Sequence, residues 1–105
     1  MSNGIRWTVR DRDGNNIALT EERWRHIISS VNHPEMAAHE SDLKETVKSG
    51  VRQQDSLNPR KYRYSETFDN LPANNTHIVA IVLFAETGRS EANDYVLTAY
   101  MKEVG

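Results

Sequence analysis

The stretch Lys61-Tyr62-Arg63-Tyr64-Ser65-Glu66-Thr67-Phe68 decides the fold. Tyr62, Tyr64 and Phe68 share one parity, and Lys61, Arg63, Ser65 and Thr67 share the other. A period of two with aromatic rings on one side is the pattern of a strand with one face on a core and one toward water. Working outward, residues 77–85 are apolar almost throughout, from Ile78 to Phe84. That run predicts a central strand covered on both sides. Residues 95–102 alternate again, with Tyr95, Leu97, Ala99 and Met101 set against Val96, Thr98, Tyr100 and Lys102. Residues 51–57 are polar and read as an edge strand. Asn58-Pro59, residues 69–75 and residues 87–93 around Gly88 punctuate these strands as turns and loops. Four strands joined in chain order by short connections predict an antiparallel meander.

The residues before this sheet read as helical. Thr20 suits an N-cap, and Glu21 and Glu22 place negative charge in a first turn, where the helix dipole favours it. Trp24, Ile27, Ile28 and Val31 follow at helical spacing, which predicts a helix over 20–32. Pro34 ends it and suits the start of a second helical region over 34–49. Leu43 and Val47 form its apolar pair, and His39-Glu40-Ser41 marks a kink. Gly50 stands where a left-handed cap is expected. Residues 1–18 read as a hairpin or an irregular arm around the turn cluster Asp11 to Asn16. The expected architecture is therefore a single α+β domain over 1–105. Two N-terminal helices pack on one face of an antiparallel sheet of about four strands, leaving the other face open.

Composition narrows the chemistry. With 105 residues the chain supports one core, and with no cysteine it has no disulfide, thiol nucleophile or thiolate metal site. No apolar run approaches membrane-spanning length, and the first residues lack a signal-type apolar core, so the expected setting is cytoplasmic. The net charge of −2 is not that of a general polyanion binder. Residues 51–63, however, hold Arg52, Arg60, Lys61 and Arg63 against Asp55 alone. A basic patch on an acidic chain fits a focused anionic site better than general polyanion affinity; the plainer reading is a solvated strand and loop.

No pattern for a metal, a nucleotide-binding loop or a nucleophile elbow is present, and no cofactor is expected. Acid–base chemistry remains. His26 lies at about 200° on a helical wheel with Trp24 at zero, away from the apolar face. It is a surface histidine or a proton-transfer group beside the sheet. Arg63 and Lys61 are a wet strand face or a pair of phosphate-binding cations, for which an arginine fork is well shaped. Thr98 and Tyr100 are ordinary strand formers or hydrogen-bonding groups. Tyr64 belongs by alternation to the core face.

Taken in order, Thr-Glu-Glu-Arg-Trp-Arg-His-Ile (20–27), His33-Pro34-Glu35, Lys-Tyr-Arg-Tyr (61–64), Ile-Val-Ala-Ile-Val (78–82) and Leu-Thr-Ala-Tyr (97–100) form a pattern over residues 18–102. It resembles small domains of the barnase–EndoU–colicin–RelE-like nuclease fold, in particular the phage-associated and cyanobacterial group. The resemblance implies a toxin-like, metal-independent endoribonuclease, in which a ribose 2′-hydroxyl attacks the neighbouring phosphate. It would make His26 the acid–base group, Arg63 with Lys61 the phosphate clamp, and Thr98 a hydrogen-bonding group. Tyr64 and Tyr100 would stack on a base or orient the clamp. RNA would be the substrate, and a regulatory or immunity-type protein the partner. A second class stands beside it: a non-catalytic interaction module that binds a protein through the sheet edge or the open face.

Overall fold

A computed structural model describes residues 4–84 and 94–103. The elements run β1 (Ile5–Arg10), β2 (Asn16–Thr20), α1 (Glu21–Ile27), a 3-10 helix (Pro34–His39), α2 (Glu40–Ser49), β3 (Val51–Gln54), β4 (Lys61–Thr67), β5 (His77–Leu83) and β6 (Asp94–Lys102). The expected loop at 87–93 lies outside the described residues. No helix among the described residues is long and apolar enough to cross a membrane.

The α+β class stands, but the expected antiparallel sheet of about four strands does not. The sheet has six strands in the order β1-β2-β6-β5-β4-β3 and is mixed. The residues read as a hairpin or an arm form the β1–β2 hairpin, and β2 joins β6 in parallel through Ile17–Asp94 and Ala18–Tyr95. Burial drives this addition: Ile17 and Leu19 are fully buried, and Trp7 and Ala18 nearly so. The helices consequently follow a strand pair instead of leading the chain.

β2 runs into α1 without a loop, because Thr20 ends the strand and caps the helix, its Oγ1 accepting from the Arg23 N–H at 3.1 Å. The helix stops at Ile27 instead of continuing to residue 32. Asn32 Nδ2 donates to the His26 carbonyl at 2.9 Å and to Ser29 Oγ at 3.0 Å, giving the backbone an alternative to another turn. Val31, expected on the apolar helix face, is 86% exposed. The kink in the second helical region is a change from 3-10 to α geometry at Glu40.

Trp24 and Ile27 of α1, Met36, and Leu43 and Val47 of α2 bury one sheet face in a single core with Tyr64, Ile78, Ala80, Val82, Val96 and Ala99. Glu40 ties the layers together. It accepts from the Trp7 indole at 2.9 Å and from the Arg6 guanidinium, which also meets Glu21 at 2.9 Å. The Arg6 bond, followed by the Trp7 bond against the cost of burial, holds the Glu40 carboxyl below its usual range.

Two fixed points set the strands. Gly50 is extended (φ −70°, ψ 164°) and not the left-handed cap expected. Glycine is required there for space: a Cβ would stand 2.4 Å from the Thr46 oxygen and 2.7 Å from the Ser65 oxygen. The second is Asp11, buried in the β1–β2 turn where Gly14 takes φ 85°. Its Oδ1 accepts from the Asp13 and Asn15 N–H groups at 2.9 and 2.8 Å, and its Oδ2 from Asn15 Nδ2 at 3.1 Å and the Tyr64 hydroxyl at 2.5 Å. Burial works to raise the Asp11 carboxyl, but the bonds from Tyr64, Asn15 and Asp13 outweigh it and leave it below the usual range.

Gly50→Ala is expected to cost about 2 kcal/mol or more in urea unfolding, because both obstructing atoms are backbone. Tyr64→Phe is expected to cost about 1–2 kcal/mol at pH 7. The Asp11 pKa is depressed by folding, so this contribution is present above the ordinary value of 3.8 and is lost as pH falls through and below it. Unfolding curves of the two proteins should therefore converge in acid. A gap of constant size down to pH 2 would contradict the assignment.

Candidate functional site

The face opposite the helices carries a groove of about 480 Å³, within the size range of small-molecule sites. Register builds it. Gln53 pairs with Arg63, Arg63 with Ile81, and Ile81 with Thr98, so one cross-strand row runs over β3, β4, β5 and β6. The next row brings Ser65, Val79 and Tyr100 together on the same face. Lys61, Arg63, Thr98 and Tyr100 all line the groove. Ile81 and Leu97 supply apolar surface, and Gln54, Asp55 and Ser56 close the β3 side.

A β-bulge shapes the β6 side. Val82 pairs with Val96 and Ile81 with Thr98, which leaves Leu97 as the extra residue. Simple alternation groups Val96 with Thr98. The bulge separates them: Val96 is fully buried in the core, whereas Leu97 and Thr98 both line the groove.

The basic patch divides between the two faces. Arg52 turns to the helix side, where it pairs with Asp13 at 3.2 Å and lies 4.5 Å over the Tyr62 ring. Arg60 Nε donates to the Phe84 carbonyl at 3.2 Å. Lys61 and Arg63 are the two cations of the patch that line the groove. Gln53 Oε1 accepts from Arg63 Nη2 at 2.9 Å, which steadies the guanidinium while using one of its five N–H donors. Asp55 is the groove's carboxylate. Its Oδ1 accepts from the Leu57 and Asn58 N–H groups at 2.7 and 3.0 Å. These bonds, and after them the Lys61 and Arg63 charges, hold it below the usual carboxylate range. Among the described residues the groove thus carries two cations and one carboxylate already engaged by backbone, beside the hydroxyls of Thr98 and Tyr100.

Two residues singled out in the sequence stand elsewhere. Tyr64 is 1% exposed on the helix side and cannot stack on a base in the groove. Alternation with Arg63 sends it inward, and Asp11 holds its hydroxyl there. His26 is exposed in the last turn of α1 and is not among the lining residues. The His33 imidazole meets a lining residue: its ring lies 5.8 Å from the Tyr100 ring, tilted by 35°. The sequence marked His33 within His33-Pro34-Glu35 but gave it no role; it sits in a linker without periodicity, so its place against β6 follows from tertiary packing. Among the described residues no group of three or more His, Asp or Glu is placed to hold a metal ion. No family model, curated protein or solved structure matches this chain.

Proposed function

We propose that this protein cleaves RNA without a metal, holding the scissile phosphodiester in the groove on the open sheet face. One observation carries the reading. The separated strands β4 and β6 bring Arg63 and Thr98 into one cross-strand row, with Lys61 and Tyr100 lining the same groove. In-line attack by a ribose 2′-hydroxyl forms an O2′–P bond and breaks the P–O5′ bond. Negative charge grows on the non-bridging oxygens. Fixed cations placed at that charge are the electrostatic element such a reaction needs. Arg63 presents a planar fork to two oxygens, Lys61 adds a point charge, and the Thr98 hydroxyl donates a hydrogen bond. The Tyr100 ring offers a stacking surface for a neighbouring base. Two cations in a groove on an acidic chain suit one phosphodiester rather than a long polyanion track.

A second reading rests on the sheet edge. β3 is an outer strand, Val51 is 68% exposed and Leu57 92% exposed. A second copy adding a strand along β3 would lie beside Val51. Self-association abolished by Val51→Lys would favour it, and a strict monomer would rule it out.

RNA cleavage in EDTA is expected to leave 2′,3′-cyclic phosphate and 5′-hydroxyl ends. Arg63→Ala should weaken binding of an uncleavable 2′-deoxy oligonucleotide at least tenfold, at unchanged thermal stability. It should also lower the salt slope of binding by about 0.7, the value for one phosphate of a single strand. Varied RNAs, tRNA included, left intact by concentrated protein would contradict the cleavage reading.

A further inference from the structure

We propose that His33 is the base that takes the proton from the attacking 2′-hydroxyl at this groove, with Glu35 as its positioning residue. The proposal rests on the RNA-cleaving reading above and names the proton acceptor it requires.

The placement comes from the linker between α1 and the 3-10 helix. The His33 N–H donates to the Ile27 carbonyl at 2.9 Å, and its carbonyl accepts from the Met36 N–H at 3.0 Å. Pro34 follows directly and restricts the backbone before it. The imidazole is therefore carried on a pinned segment, with its ring against Tyr100 at the β6 side of the groove. Glu35 Oε2 stands 3.7 Å from His33 Nδ1, and each of the two side chains is 37% exposed, so both are open to solvent.

The other three histidines are placed differently. Neither His26 nor His33 is itself a lining residue; His26 is exposed on α1 and, among the described residues, has no ring contact with one, whereas His33 meets Tyr100. His39 Nδ1 meets Asp42 at 3.0 Å at the start of α2. Both ring nitrogens of His77 are engaged, with Thr76 at 2.7 Å and Thr67 at 3.2 Å.

The Glu35 carboxylate stands on the Nδ1 side of the ring at 3.7 Å, beyond hydrogen-bond length. Its negative charge favours a proton on Nδ1, which leaves the Nε2 lone pair free to accept. In the reaction Nε2 takes the 2′-hydroxyl proton, and the freed oxygen pair forms the O2′–P bond. The P–O5′ pair leaves with O5′, which takes a proton from water. The imidazolium then returns its proton to solvent, so the products are a 2′,3′-cyclic phosphate and a 5′-hydroxyl. Glu35 faces the ring that becomes positive and stabilises that charge.

The test compares wild type, His33→Ala, His26→Ala and Arg63→Ala by single-turnover RNA cleavage and by binding of the 2′-deoxy oligonucleotide. The expected result for His33→Ala is a fall in cleavage rate of about 100-fold or more, with binding within threefold of wild type. Added imidazole should restore part of the rate in His33→Ala and none in Arg63→Ala. His33→Ala cleaving at the wild-type rate overturns the proposal and leaves the cleavage reading standing. So does loss of activity in His26→Ala alone. Loss of binding in parallel with rate makes His33 a wall of the groove and overturns its role as base. Wild type that binds the oligonucleotide through Arg63 but cleaves no RNA overturns the proton transfer and leaves a binding site. Wild type that neither binds nor cleaves overturns both readings.

Discussion

The hydroxyl of Tyr64 donates to the buried Asp11 carboxylate at 2.5 Å, and the facing of β4 follows from that bond. The partners are 53 residues apart and join the β1–β2 turn to the middle of the sheet. Strand geometry has a period of two, so a slip of one residue would expose Tyr64 and its core neighbours and drive Arg63 inward. A buried arginine without a partner is among the costliest arrangements a core can hold. With Tyr64 held inward, Lys61, Arg63 and Ser65 must face away from the helices. Pairing with β5 and β6 then carries the same facing to Ile81, Thr98 and Tyr100.

The open face is thus a consequence of how the other face is filled. Among the described residues two helices and the 3-10 turn cover one side of six strands and leave the other open. What distinguishes the open face from an ordinary wet sheet is local. The bulge at Leu97 brings two consecutive residues of β6 to the groove, and Gln53 steadies Arg63 from the neighbouring strand. The linker after α1 adds His33 against Tyr100. Each of these devices comes from a different part of the chain, and the sheet register is what makes them meet.

The sequence was most informative where a period was strong. Alternation in 61–68 placed Lys61 and Arg63 outward and Tyr64 inward, and the inward reading of Tyr64 holds against the stacking role that the family resemblance implied. Alternation failed at Val96 because a bulge leaves no mark in a pattern of apolar and polar residues. The six-stranded sheet was hidden for a different reason. Among the described residues β2 and β6 pair through Ile17–Asp94 and Ala18–Tyr95, between opposite ends of the chain. A parallel joint between segments so far apart in sequence has no local signature, and tertiary packing alone decides it. Charge counting along 51–63 overstated the basic face, because Arg52 points across the sheet to Asp13.

The central claim is that ligand binds on the helix-free face, over the row Gln53–Arg63–Ile81–Thr98. Amide NMR of the folded protein titrated with a short 2′-deoxy oligonucleotide tests it most directly. The account predicts shifts clustered at Gln53, Lys61, Arg63, Ile81, Leu97, Thr98 and Tyr100, with Leu43 and Val47 under α2 unmoved. Shifts centred on the helices, or none at the groove residues at saturating ligand, would contradict it.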